Sequence, residues 1–121
     1  MDLYKEEVLF YYKNQPNKKK LKSYNCEGKS SNSSCGDEIK VEIELDSNGI
    51  IKDIGYEHSG CIISAANMSV MVEKLIGMEL KEAKLMTKEE WLIELNLDLT
   101  ENRKKCALVG YNAIKDSLFK I

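Results

Sequence analysis

The sequence predicts an α+β fold in which a small antiparallel sheet of about three strands packs against several α-helices. Three observations carry this. Ile39, Val41, Ile43 and Leu45 alternate with Lys40, Glu42, Glu44 and Asp46, the period-2 pattern of a strand with one wet face. Asn48-Gly49 follows as a hairpin signal, because both residues accept positive φ. Beyond residue 60 the apolar residues recur at helical rather than alternating spacing.

Taken in order, Leu3, Val8, Leu9 and Tyr12 place a short amphipathic helix over residues 2 to about 13, and Pro16 follows where helices commonly stop. Residues 17–34 are rich in Lys, Ser and Asn and read as a loop or weak edge strand, with a mobile Ser-Ser-Asn-Ser-Ser run. Ile50 to Glu57 is the hairpin's partner strand, with Ile50, Ile54 and Tyr56 on one face. Ser59 or Gly60 is the expected cap of a helix over 61–76, and Gly77 its stop. That helix is apolar on most sides and should be buried. Leu80 to Met86 makes a further helical turn, and Thr87 with Glu90 forms a capping-box pair ahead of Trp91. A last helix runs from about Glu101 to Lys120, with Ala107, Gly110, Ala113, Ile114 and Ser117 as its close-packing face. No internal repeat appears, and residues 1–121 read as one domain.

Composition narrows the function classes. The chain has 121 residues, 43% of them apolar, and a formal charge of −2, with a mean hydropathy of −0.39. No overall field draws it to nucleic acid or an anionic membrane. Its local cationic clusters, Lys18, Lys19, Lys20 and Lys22 and then Arg103 to Lys105, lack the interleaved aromatics of a nucleic-acid surface. The first reads as a solvated charge run, with an acidic partner as the alternative. No stretch approaches the roughly 20 apolar residues that span a bilayer. The acidic start Met1-Asp2-Leu3-Tyr4-Lys5-Glu6-Glu7 is unlike a signal peptide. The expected location is therefore cytoplasmic, where four cysteines point to metal or redox chemistry before disulfides.

Three of those cysteines sit where a thiolate is favoured. Cys35 lies in Ser-Cys-Gly-Asp with Asp37 two residues on, Cys61 at a helix start, and Cys106 directly after Arg103, Lys104 and Lys105. Helix N-termini and nearby cations both lower thiol pKa values. Three thiolates and a carboxylate make a four-ligand set for zinc or an iron–sulfur cluster. The hairpin brings Cys35 and Cys61 to one end of the sheet, whereas nothing local directs Cys106 there. His58, the single histidine, stands three residues before Cys61; it reads as a surface or hydrogen-bonded residue, with ligation as the alternative. Cys26 reads as a spare thiol in a polar loop, the alternative being a sulfur relay to Cys35. No Ser/His/Asp set or open histidine-based metal motif supports an independent hydrolase.

The order of these motifs resembles a known family. Cys35-Gly36-Asp37 before an alternating strand, Gly60-Cys61 with Ile63-Ser64 heading an apolar helix, and Arg103-Lys104-Lys105-Cys106-Ala107-Leu108 are similar to the three cysteine motifs of the IscU/SufU-type iron–sulfur cluster scaffolds, the domain also found at the N-terminus of NifU. Asp2-Leu3-Tyr4 and Tyr12-Lys13-Asn14 resemble that family's first helix and following turn. The resemblance implies one site made of Cys35, Asp37, Cys61 and Cys106. It implies zinc in the protein as isolated and a transient [2Fe–2S] cluster, or iron, in function. Cys35 and Cys106 become candidate sulfur acceptors, Asp37 the ligand that permits cluster release, and Arg103 and Lys105 charge support. The implied partners are a cysteine desulfurase of the SufS/IscS/NifS kind and iron–sulfur acceptor or carrier proteins, with the chain a monomer or weak dimer and a carrier rather than a free-standing enzyme.

The departures bear on subtype. Lys105 stands where Isc-type proteins carry a histidine, and Arg103-x-Lys105-Cys106 is the Suf pattern. The Suf-type insertion ahead of that motif is missing, as is the Leu-Pro-Pro-Val-Lys chaperone segment of the Isc type. Ser34 replaces a common proline. The chain thus resembles a SufU-like motif on an IscU-length scaffold. Besides the cluster scaffold, two readings remain open: a zinc-dependent sulfur acceptor serving a SufS-like desulfurase, and a structural zinc domain that only binds partners.

Overall fold

The computed structural model describes residues 6–34, 36–95 and 99–120. The elements run α1 (Glu6–Asn14), β1 (Cys26–Asn32), β2 (Asp37–Leu45), β3 (Ile51–Ser59), α2 (Ile62–Leu75), α3 (Leu80–Leu85), α4 (Lys88–Leu92), a 3-10 turn over Ile93–Leu95, and α5 (Glu101–Leu118). The strands form one antiparallel sheet in the order β1-β2-β3. This is the expected α+β architecture.

β2 forms as its alternation dictates: Ile39, Val41 and Ile43 are buried, while Glu38 and Lys40 face water. The turn to β3 differs from the expectation. Gly49 alone adopts positive φ (79°), and Asn48 does not. Instead the Asp46 carboxylate accepts from the Asn48 and Ile50 amides at 2.8 and 3.0 Å, closing a loop in which glycine takes the single left-handed position. A bulge then resets β3. Glu44 pairs with Asp53 but Leu45 with Ile51, so Lys52 is the extra residue. Ile51, not Ile50, therefore joins Ile54 and Tyr56 in the core.

The segment read as a loop or weak edge strand contains β1, an edge strand of the sheet, and its last residues Ser30 to Asn32 come from the run expected to be mobile. Its inner positions are Cys26 and Gly28, both buried. Gly28 is required there, because a Cβ would stand 2.5 Å from both Ala113 O and Ser117 N of α5. The preceding lysine run is pinned to the outer face of the sheet: Lys19 pairs with Asp53 at 3.0 Å, Lys20 with Glu57 at 3.1 Å, and the Leu21 amide donates to Glu42.

α5 lies across β1 and β2, α2 packs beside it against β3, and α1 packs on α2. α2 is buried almost all round, as its composition predicts. Its N-cap is Cys61 itself, rather than Ser59 or Gly60, and it ends ahead of Gly77 at φ 94°. The Thr87–Glu90 capping box is present in both directions. Thr100 caps α5 by accepting from the Arg103 amide at 3.3 Å. The main core joins sheet and helices around Trp91, Met68 and Met71. A second cluster of Val8, Ile63, Ala66, Cys106 and Ala107 joins α1, α2 and α5.

Candidate metal centre

Asp37, Cys61 and Cys106 each offer a ligand atom, and these three atoms lie within 4.8 Å of one another. They come from three elements. Asp37 opens β2, Cys61 caps α2, and Cys106 stands in the second turn of α5. The strand register explains the first two, since Glu38 pairs with Ser59 and so sets Asp37 beside Gly60. Gly60, at φ 136°, then turns the chain out of β3 and delivers Cys61 to the helix start. Cys106 is brought in by packing. Its neighbour Ala107 accepts a hydrogen bond from Trp91 Nε1 at 3.0 Å, which ties α4 to α5 at this level.

The carboxylate is held asymmetrically. Asp37 is 1% exposed, and its Oδ1 accepts from the Cys61 amide at 2.8 Å and from Ser64 Oγ at 3.0 Å. Its Oδ2 is buried with no hydrogen-bond partner among the described residues. An orphaned buried carboxylate oxygen costs several kcal/mol unless a cation satisfies it (about 2–7 for a neutral polar group, more for a charge). Two soft sulfurs and one hard oxygen around it suit zinc or iron. Cys61 is half-buried and Cys106 is 4% exposed, so the set is reachable from one side and sheltered on the other.

The remaining candidates distribute as follows. Cys35 lies outside the described residues, two positions before Asp37. On α5, Arg103 is half-buried one turn before Cys106, while Lys105 is exposed. His58 is half-buried and its Nε2 lies 2.7 Å from Ser64 Oγ. Burial pushes the His58 pKa down, opposed by the Asp37 charge and assisted by Lys18. It belongs to the hydrogen-bonded alternative. Cys26 is no loop thiol: it is buried in β1, accepts from Ser117 Oγ at 3.0 Å, and burial pushes its pKa up despite that bond. Ser64 was named in the sequence only as part of the second cysteine motif, with no role of its own. The available signal was a hydroxyl three residues after Cys61, on the first turn of the helix.

Comparison with known proteins gives the family. Residues 3–121 match the NifU-like N terminal domain. The chain belongs to that family. Among its NifU-like relatives, the iron–sulfur cluster assembly scaffold protein IscU of Thermotoga maritima is 30% identical, over 98% of this chain and 94% of that one. The zinc-dependent sulfurtransferase SufU of Bacillus subtilis is 34% identical over 71% of this chain and 57% of its own length. In structure, the NifU-like fold here is similar to FiSufU of Fervidobacterium islandicum AW-1, described as a scaffold for the SUF system, with TM-score 0.77, 26% identity and 96% of each chain covered. A NifU-like N-terminal protein of Brucella abortus shares the fold at TM-score 0.77 and 18% identity, covering 98% of this chain and 94% of that one. Among the described residues no helix is long and apolar enough to cross a membrane.

Proposed function

We propose that this NifU-like chain is a scaffold for iron–sulfur cluster assembly, receiving sulfur from a cysteine desulfurase and holding a transient [2Fe–2S] cluster on Cys35, Asp37, Cys61 and Cys106. The observation that carries this reading is the gathering of Asp37, Cys61 and Cys106 within 4.8 Å, with Asp37 Oδ2 left for a cation. A closed structural zinc site is normally completed by Cys or His, whereas one carboxylate leaves an exchangeable position. A cargo that must leave needs that position.

In sulfur delivery, a site thiolate attacks the outer sulfur of the desulfurase persulfide. A new S–S bond forms on this chain and the enzyme's cysteine departs as thiolate, with no net change in electrons. A reductant then supplies two electrons per sulfur to give the sulfide of the cluster. Four anionic ligands exceed the charge of a dication, and Arg103 and Lys105 offset that excess. Anaerobic reconstitution with iron and sulfide tests the reading. Visible absorption typical of [2Fe–2S], lost on replacing Cys61 or Cys106, is expected; a protein that takes up no cluster overturns it.

A second reading is favoured by Arg103-x-Lys105-Cys106 and by the similarity to SufU. There the chain is a zinc-dependent sulfur acceptor, in which zinc restrains the thiolates until the desulfurase supplies a competing ligand. Desulfurase turnover separates the two. Stimulation that needs zinc and Cys35, with no cluster reconstitution, selects sulfur transfer.

A further inference from the structure

Ser64 Oγ stands among more acceptors than it has hydrogens. Asp37 Oδ1 is 3.0 Å away, the Cys61 carbonyl 3.1 Å, Cys61 Sγ 3.7 Å and His58 Nε2 2.7 Å. A hydroxyl gives its single hydrogen to the strongest acceptor, and a carboxylate outcompetes a carbonyl, a thiol sulfur or a neutral ring nitrogen. With that hydrogen committed to Asp37, the Ser64 oxygen presents only lone pairs to His58. Two lone pairs would repel at 2.7 Å, so Nε2 carries the ring hydrogen and donates it. The hydrogen bonds then run one way, from His58 through Ser64 to Asp37.

We propose that His58 and Ser64 are positioning residues that commit Asp37 to bind metal through Oδ2 alone, and so set the metal affinity of the site. This rests on the reading of Asp37 as a ligand. A carboxylate with both oxygens available alternates between one- and two-oxygen binding. Here Oδ1 is occupied twice, by the Cys61 amide and by Ser64, while Oδ2 has no partner among the described residues. Asp37 belongs to β2, whereas both groups that hold its Oδ1 belong to the head of α2, and His58 braces Ser64 from β3. Rotation of the carboxylate therefore breaks both hydrogen bonds to Oδ1. His58 reaches the metal position only through Ser64, which makes its effect conditional on that hydroxyl.

The test is zinc affinity of the full chain, measured by competition with a chromophoric chelator at one fixed pH. Ser64→Ala and His58→Met should each weaken zinc binding by about tenfold, the lower end of what losing an outer-shell hydrogen bond costs. His58→Gln, whose amide nitrogen can stand where Nε2 stood, should bind nearly as wild type. The double variant His58→Met/Ser64→Ala should be no weaker than Ser64→Ala alone. In an Asp37→Ala background neither change should lower affinity further. A second readout is the visible ligand-field spectrum of the Co(II)-loaded protein, which should shift in Ser64→Ala and His58→Met but not in His58→Gln. His58 lies outside both buried core clusters, so its variants test the role even if Ser64→Ala does not fold. Wild-type affinity in His58→Met, or an equal loss in the Asp37→Ala background, overturns the positioning role alone. Unchanged affinity in Asp37→Ala itself removes Asp37 as a ligand and takes both readings with it.

Discussion

Gly60 lies so close to Asp37 that a Cβ added to it would stand 2.2 Å from the carboxylate Oδ1 and 2.8 Å from the aspartate Cα. Gly60 also sits at φ 136°, where side-chain-bearing residues are strained. The aspartate and the turn that delivers Cys61 are thus interlocked, and neither can shift alone. Gly60→Ala should cost about 1–3 kcal/mol of stability from backbone strain and weaken zinc binding as well, because the clash falls on Oδ1. Thermal unfolding of the metal-free protein and chelator competition measure the two effects separately. A variant that lost stability but kept its zinc affinity would contradict the interlock.

Replacing Asp37 with Ala removes the one oxygen donor from a set otherwise made of sulfur. If acceptor thiolates enter through the carboxylate position, that entry is lost. The reconstituted cluster of Asp37→Ala should decay severalfold more slowly than wild type in the presence of thiols, followed by visible absorption under anaerobic conditions. Persulfide formation with a desulfurase should persist. Faster cluster loss would mean that Asp37 holds cargo rather than releasing it.

His58 gives a pH dependence of defined sign. Burial, with a contribution from Lys18, holds its folded-state pKa below the ordinary 6.5, against the pull of Asp37. As pH falls, the unfolded chain therefore takes up the proton first. The stability that His58 contributes is present above about pH 6.5 and is lost as pH drops through its lower folded value. Urea unfolding of metal-free protein between pH 7.5 and 5 should show wild type losing more stability than His58→Gln. Equal losses would place the imidazole in open solvent.

Cys26 should be chemically quiet. Its thiol is buried beside Ser117, and burial holds its pKa above the ordinary 9.0. Alkylation needs the thiolate, so iodoacetamide at pH 8 should modify the half-buried Cys61 well before Cys26, as read by peptide mass mapping. Labelling of Cys26 only after denaturation is the expected result. Early labelling in the native protein would return it to the surface and reopen a part in sulfur handling.

The half-buried elements were legible because water on one face and core on the other impose alternation, as in Ile39 to Leu45. β1 was legible only as one of two alternatives, a loop or a weak edge strand, because its inner face is built from Cys26 and Gly28. Their small size is what lets α5 approach, and it erases the apolar signal that marks a strand. The bulge at Lys52 was hidden too, since Ile50 and Ile51 offer two equally apolar registers. At the site, the motifs named Asp37, Cys61 and Cys106, but their meeting depends on α5 crossing the sheet, which no local pattern records. The bond between His58 and Ser64 likewise joins a strand to a helix, and only the folded chain brings the two together.

Cys106 rides on the C-terminal helix while Asp37 is rooted in the sheet, so the grip on any bound ion depends on the spacing between two layers. Metal–donor distances tolerate errors of only about 0.2 Å. A slip of the helix by a fraction of one turn would therefore detach the sulfur before secondary structure melts. On heating, the protein should surrender its cargo at a lower temperature than the one at which the polypeptide loses its shape.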